Sequence, residues 1–184
     1  MKTAALFLAA LLAWAVQPID DGARAAFQRW RTPWLERPMH VASDAGRPVL
    51  IVAGIAGLAG GGVARAVVGE AVVVLIPVNL AVEGLKRLTD RARPDGTRRR
   101  SNAAFPSSHA ANAFAVAVVL ARRWRRGAVA FFVAAALVAW SRLYLDRHWL
   151  SDVVAGIGLG CLLAWGTLRV LADWRRGSHP STPG

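Results

Sequence analysis

Residues 66–82 read AVVGEAVVVLIPVNLAV, and residues 86–100, just beyond, read KRLTDRARPDGTRRR. The first stretch is apolar apart from Glu70; the second holds seven basic and two acidic residues. A membrane-spanning helix needs roughly 20 mostly apolar residues and ends where charge begins. This pairing therefore reads as a span followed by a basic loop. The same pattern recurs along the chain. Charge-poor runs occupy residues 4–19, 48–64, 101–121 (with His109 inside), 127–141 and 153–168. Several are slightly short, but flanking Arg and Lys can snorkel to the interface. The expectation is an all-α, polytopic membrane helical bundle with about six transmembrane helices, at residues 3–18, 46–64, 66–85, 107–122, 127–145 and 150–170. Residues 1–176 form a single membrane-embedded domain on this reading. The Ser-, Pro- and Gly-rich tail 177–184 is expected to be disordered. The first run also fits a signal peptide, with Lys2 before an apolar core and a small-residue site at Ala13-Trp14-Ala15. A retained helix is preferred, because an even number of spans returns both termini to one side.

Composition narrows the class further. The 184 residues are 55% hydrophobic yet carry a formal charge of +12. A nucleic-acid binder of that charge would line its cations along one face. Here they cluster between apolar runs, which excludes nucleic acid as the partner and implicates the membrane. The single Cys161 sits within an apolar run and reads as inert packing. No zinc-type Cys/His spacing and no phosphate-binding glycine loop appears. The glycines 54, 57 and 60, and Gly156 with Gly160, lie inside apolar runs and read as small-residue stripes for close helix packing.

Basic loops set the expected orientation. Arg65, the group Arg122, Arg123, Arg125 and Arg126, and the group Arg169, Arg175 and Arg176 fall on one side, assigned to the cytoplasm. Residues 86–100 then lie outside, against the positive-inside rule, as a cluster serving an anionic ligand would. Residues 20–47 mix Phe27, Trp30, Trp34 and Leu35 with Arg24, Arg29, Arg31 and Arg37. They read as an amphipathic segment on the outer interface, with Trp at headgroup depth.

The polar residues between the runs carry the chemistry, and all fall at outer ends of spans. His148 and Asp152 are four apart, so they share a helix face. A carboxylate there can accept the imidazole Nδ1–H and leave Nε2 free as a nucleophile. Pro106-Ser107-Ser108 precedes the fourth span as a helix start, whose free N–H groups attract an anion. Arg93 and Arg142 can grip phosphate oxygens through planar forks, and Lys86 supplies a point charge. Fixed cations around a phosphoryl group can take over the work of a metal. No carboxylate cluster suited to Mg²⁺ occurs in the outer loops, so neither metal nor cofactor is expected. His109 adds a second histidine at the same face. His40 and His179 have no companion motif and read as structural.

Taken together, Lys86-x6-Arg93-Pro94, Pro106-Ser107-x-His109 and Ser141-Arg142-x5-His148-x3-Asp152 resemble the type 2 phosphatidic acid phosphatase family. That superfamily includes lipid phosphate phosphatases, prenyl-diphosphate phosphatases and vanadium haloperoxidases. The resemblance covers residues 86–152. It implies a phosphohistidine on His148, oriented by Asp152, with His109 protonating the leaving oxygen and then helping to activate water. It implies that Lys86, Arg93, Ser107, the Ser108 backbone N–H and Arg142 bind the phosphate. Ser108 departs from the family's glycine at that position, but its backbone N–H survives. The implied protein is a metal-independent lipid phosphatase of a bacterial inner membrane, acting at the outer face on a lipid phosphate within the bilayer. The alternatives are a phosphotransferase using the same site and a non-enzymatic lipid-headgroup binder.

Overall fold

The computed structural model describes residues 2–44, 60–96 and 103–177, all helix and loop. Six α-helices lie among them: α1 (Lys2–Arg29), α2 (Pro33–Asp44), α3 (Gly62–Thr89), α4 (Ser108–Arg123), α5 (Ala128–Tyr144) and α6 (Leu150–Gly177). A short 3-10 turn, Arg125–Gly127, leads into α5. The expected span at 46–64 falls mostly outside the described residues, as do Gly54, Gly57, His179 and the tail from residue 178. Three of the described segments are long and apolar enough to cross a membrane: α3, α5 with its leading turn, and α6.

Helix α4 is the core. It packs against α3, α5 and α6, most extensively against α6. Its inward residues Ala111, Ala115 and Val119 meet Val67, Val74, Val78 and Val82 of α3 and Ala164 and Leu168 of α6. Small residues on α4 bring the backbones close, since helix association in lipid depends on packing rather than on water exclusion. The α6 glycines take this furthest. A Cβ on Gly156 would stand 2.5 Å from the Ser107 carbonyl oxygen, and one on Gly160 would collide with the Ala111 backbone. Backbone cannot step aside as a flexible side chain can. Gly160→Val is therefore expected to cost about 1–3 kcal/mol or more, read as a lowered melting temperature in detergent; an unchanged melting temperature would show that α4 and α6 are not in contact. One polar pair crosses the core, Asn112 Nδ2 donating to Asn79 Oδ1 at 3.1 Å. The outward faces carry exposed Val72, Ile76, Leu80, Leu137, Leu162, Trp165 and Val170. A surface this apolar belongs in lipid.

Residues 20–44 fall in two helices rather than in one continuous helix. Helix α1 continues through Arg29 with Pro18 inside it, and the break comes at residues 30–32. Two features account for this. Asp20 is buried and hydrogen-bonded within the bundle, which ties the C-terminal half of α1 to the site, and Pro33 starts the next helix at its preferred first position. Helix α2 then folds back onto α5: Met39 packs on Tyr144 and Leu145, while the Tyr144 hydroxyl accepts from Thr32 N at 2.7 Å and donates to Thr32 O at 2.9 Å. Trp30 and Trp34 are exposed.

The bundle has two distinct ends. At one, Arg122 Nη1 donates to Leu168 O at 3.0 Å and Arg175 pairs with Glu70 at 2.8 Å. At the other, the close of α3, the start of α4, the close of α5 and the start of α6 converge.

Candidate active site

That second end is stitched by backbone. Ser107 N donates to Asp152 O at 2.9 Å, joining the starts of α4 and α6. Ala104 N donates to Arg91 O at 2.8 Å, and the Trp149 indole donates to Ala92 O at 3.0 Å. Ser107 caps α4, its fully buried hydroxyl accepting from Ala110 N at 3.5 Å, and Ser108 is the first helical residue. The expected helix start is thus present, with Ser107 as the cap.

Between α5 and α6 the chain turns sharply. Asp146 takes a left-handed backbone with φ of 56°, which Asp tolerates better than most residues, and its carboxylate is held by Arg24 of α1 at 2.6 and 2.8 Å. The turn sends His148 N back to the Arg142 carbonyl at 3.3 Å, so cation and histidine become neighbours. Both are buried, as is Lys86 in the last turn of α3, with Nζ 3.6 Å from Glu83. Arg142 Nη1 donates to Ser43 Oγ of α2.

His148 Nδ1 lies 2.9 Å from the Ala104 carbonyl and 3.7 Å from Asp152 Oδ2. His148 lies in the turn before α6, which begins at Leu150, so the pair meets across the helix start rather than on one helix face, and the hydrogen bond goes elsewhere than expected. Asp152 is already engaged, accepting from Trp149 N at 2.9 Å and from Arg91 Nη1 at 2.8 Å. A carbonyl can only accept, so Nδ1 must carry the hydrogen, and Nε2 is left with its lone pair. Asp152 acts on the ring through its charge and by tying down the first turn of α6. The charges of Arg142 and Arg93 also fall on His148. Burial pushes the His148 imidazole below its usual value, and the neighbouring cations push it the same way, against the opposing pull of Asp152. A neutral ring is the form a nucleophile needs.

A cavity of about 460 Å³ opens beside this cluster, lined by His40, Ser43, Asp44, His109, Arg142, Leu145 and Arg147. His109 and Arg142, far apart in sequence, share its wall. So does His40, which has no companion motif in the sequence; only the fold-back of α2 brings it there. Two further residues lack any signal of their own. Asp20 and Arg91 join the back of the site, and Arg91 could be noticed only for standing two positions before Arg93 in the basic stretch.

Comparison with known proteins agrees with the motif. The PAP2 superfamily profile matches residues 67–176, more than half of the chain. Lipid A 1-phosphatase of Porphyromonas gingivalis is 38% identical over 77 residues, which are 40% of this chain and only 17% of that protein. Phosphatidylglycerophosphatase B of Bacillus subtilis is 29% identical over 165 residues, 81% of each chain. The crystal structure of a transmembrane PAP2-type phosphatidylglycerolphosphate phosphatase from Bacillus subtilis superposes with a TM-score of 0.70 at 26% identity, covering 92% of this chain and 96% of that one. With its motif residues gathered at one end of a membrane helix bundle, this chain belongs to the PAP2 superfamily.

Proposed function

We infer that the protein is an integral membrane lipid phosphatase that hydrolyses a phosphate monoester or diphosphate on a lipid headgroup through a phosphohistidine. The observation that carries this reading is the Nδ1 contact of His148 with the Ala104 carbonyl, beside a cavity walled by His109 and Arg142. Nε2 of His148 attacks phosphorus, and the bond from phosphorus to the lipid oxygen breaks. His109, as imidazolium, gives its proton to that oxygen. Arg93, Arg142, Lys86 and the N–H groups at the start of α4 hold the equatorial oxygens, where negative charge gathers in the transition state. In the second half, neutral His109 takes a proton from water as the water attacks phosphorus. The P–N bond breaks, returning free His148 and inorganic phosphate. A non-enzymatic binder would need the cations but not a neutral histidine poised in this tautomer.

The same reading places the site at the outer face of a bacterial inner membrane. Exposed Trp34 on α2, the helix that carries His40 and Ser43 to the cavity, and exposed Trp30 in the turn before it support headgroup depth, where a lipid presents its phosphate without leaving the bilayer. Phosphatidic acid, phosphatidylglycerol phosphate, undecaprenyl diphosphate and lipid A phosphate all fit such a site. Phosphate release by purified protein in detergent against these four lipids tests the reading; release from none of them would contradict it. Because side-chain cations hold the phosphoryl oxygens, activity is expected to survive excess EDTA. Turnover lost in EDTA and restored by Mg²⁺ would overturn the mechanism.

A further inference from the structure

Behind His148 lies an ion cluster that the mechanism above leaves unused. Asp20 of α1 and Asp152 of α6 are both buried, at 1% and 0% exposure. Arg91 bridges them: Nη2 donates to Asp20 Oδ2 at 2.6 Å, and Nη1 donates to Asp152 Oδ1 at 2.8 Å and to Ser151 Oγ at 2.7 Å. Asp20 in turn accepts from Ser151 N at 2.8 Å and from Ser151 Oγ at 2.6 Å. The Arg91 guanidinium lies 5.6 Å from the centre of the Trp149 ring, which covers it. Every member is satisfied, which is what a buried charge requires.

The charges bear on the reaction. A carboxylate near His148 favours positive charge on the ring, and that charge develops as Nε2 bonds to phosphorus. Arg91 paired with Asp152 alone would cancel that influence. Asp20 offsets Arg91, so the two carboxylates and one guanidinium keep one net negative charge at the histidine. We propose that Asp20 and Arg91 are positioning residues that set the basicity of His148 through Asp152: Arg91 fixes the carboxylate in place, and Asp20 restores its field. This rests on the reading of His148 as nucleophile. The first helix thereby becomes part of the catalytic apparatus rather than only an anchor.

The test is a titration. The chain has four histidines, so ring signals of ¹³C-histidine protein in detergent are assignable by substitution. The other groups bearing on His148 are Arg142 of α5, Arg93 of the loop after α3 and Asp152 itself; His40, Asp44, His109 and Arg147 face the adjoining cavity, and Arg24 is paired with Asp146. All of these are the same in every variant. Asp20→Asn removes a negative charge, so the His148 midpoint should fall. Arg91→Gln removes a positive charge, so it should rise. Each displacement should be about one to two pH units, the size expected of a unit charge roughly 6–12 Å away at an effective dielectric of about 20. Asp20→Asn should also lose roughly tenfold in kcat with KM held, because the cations that grip phosphate are untouched.

The double variant Asp20→Asn/Arg91→Gln leaves Asp152 with its own charge, and its midpoint should return to within about 0.3 units of the parent. It carries the test even if one single variant does not fold. Coincident midpoints in the folded variants, shifts of the same sign in both single variants, or a double variant displaced by a full unit would each overturn the proposal. The titration is independent of turnover. If the midpoints move as stated while His148→Ala stays active, the nucleophile assignment fails and the electrostatic link stands. If His148→Ala is dead and the midpoints coincide, the link alone fails.

Discussion

His148→Ala is expected to lose on the order of 10³-fold or more in turnover, because the attacking atom itself is removed. The side chain is buried and holds the Ala104 carbonyl through Nδ1. Truncation also leaves that carbonyl without its donor, so the melting temperature should be measured beside the rate. A protein that stays folded and loses turnover matches the assignment; one with near-normal activity contradicts it. Asp152→Asn should cost less. The amide oxygen can still accept from Trp149 N, and the Ala104 carbonyl still orients the ring, so what goes is the charge and the one hydrogen bond from Arg91, which an NH2 cannot accept.

Arg93→Gln should lower turnover at saturating substrate by roughly 10²–10³-fold, the loss expected for one transition-state donor. Its charge bears on His148, in the same direction as that of Arg142. Lipid capture should change far less than kcat, because the remaining cations still draw an anionic headgroup to the cavity. A variant with unchanged kcat and raised KM would make Arg93 a ground-state binding residue.

Much of the architecture is legible in the amino-acid sequence. The apolar runs place the cores of α3, α5 and α6, because a helix in lipid must satisfy its own backbone and shows as an unbroken apolar stretch. The glycines Gly156 and Gly160 announce the tight contact between α4 and α6. The spacing of His148 and Asp152 brings them together, although His148 sits in the turn before α6 rather than on its face. What stays hidden is tertiary. Nothing in residues 20–47 says that α2 folds back to put His40 and Ser43 at the cavity, since that contact is made by Met39 and Tyr144, ordinary apolar and aromatic residues more than a hundred positions apart. Asp20 is invisible for the same reason: a carboxylate after an apolar run reads as the end of a span, and only the fold supplies Arg91 and Ser151. The Nδ1 partner differs from the expected Asp152 because a sequence displays side chains, whereas the Ala104 acceptor is backbone.

The covalent intermediate is the most exposed step of the proposed mechanism. Rapid acid-free quenching of the protein with a ³²P-labelled lipid phosphate, followed by proteolysis under alkaline conditions that preserve a phosphoramidate, shows which residue carries the label. The expected result is an alkali-stable, acid-labile phosphate on the peptide containing His148, absent from His148→Ala. Label on the peptide containing His109, or turnover with no phosphoenzyme at any time point, would contradict it.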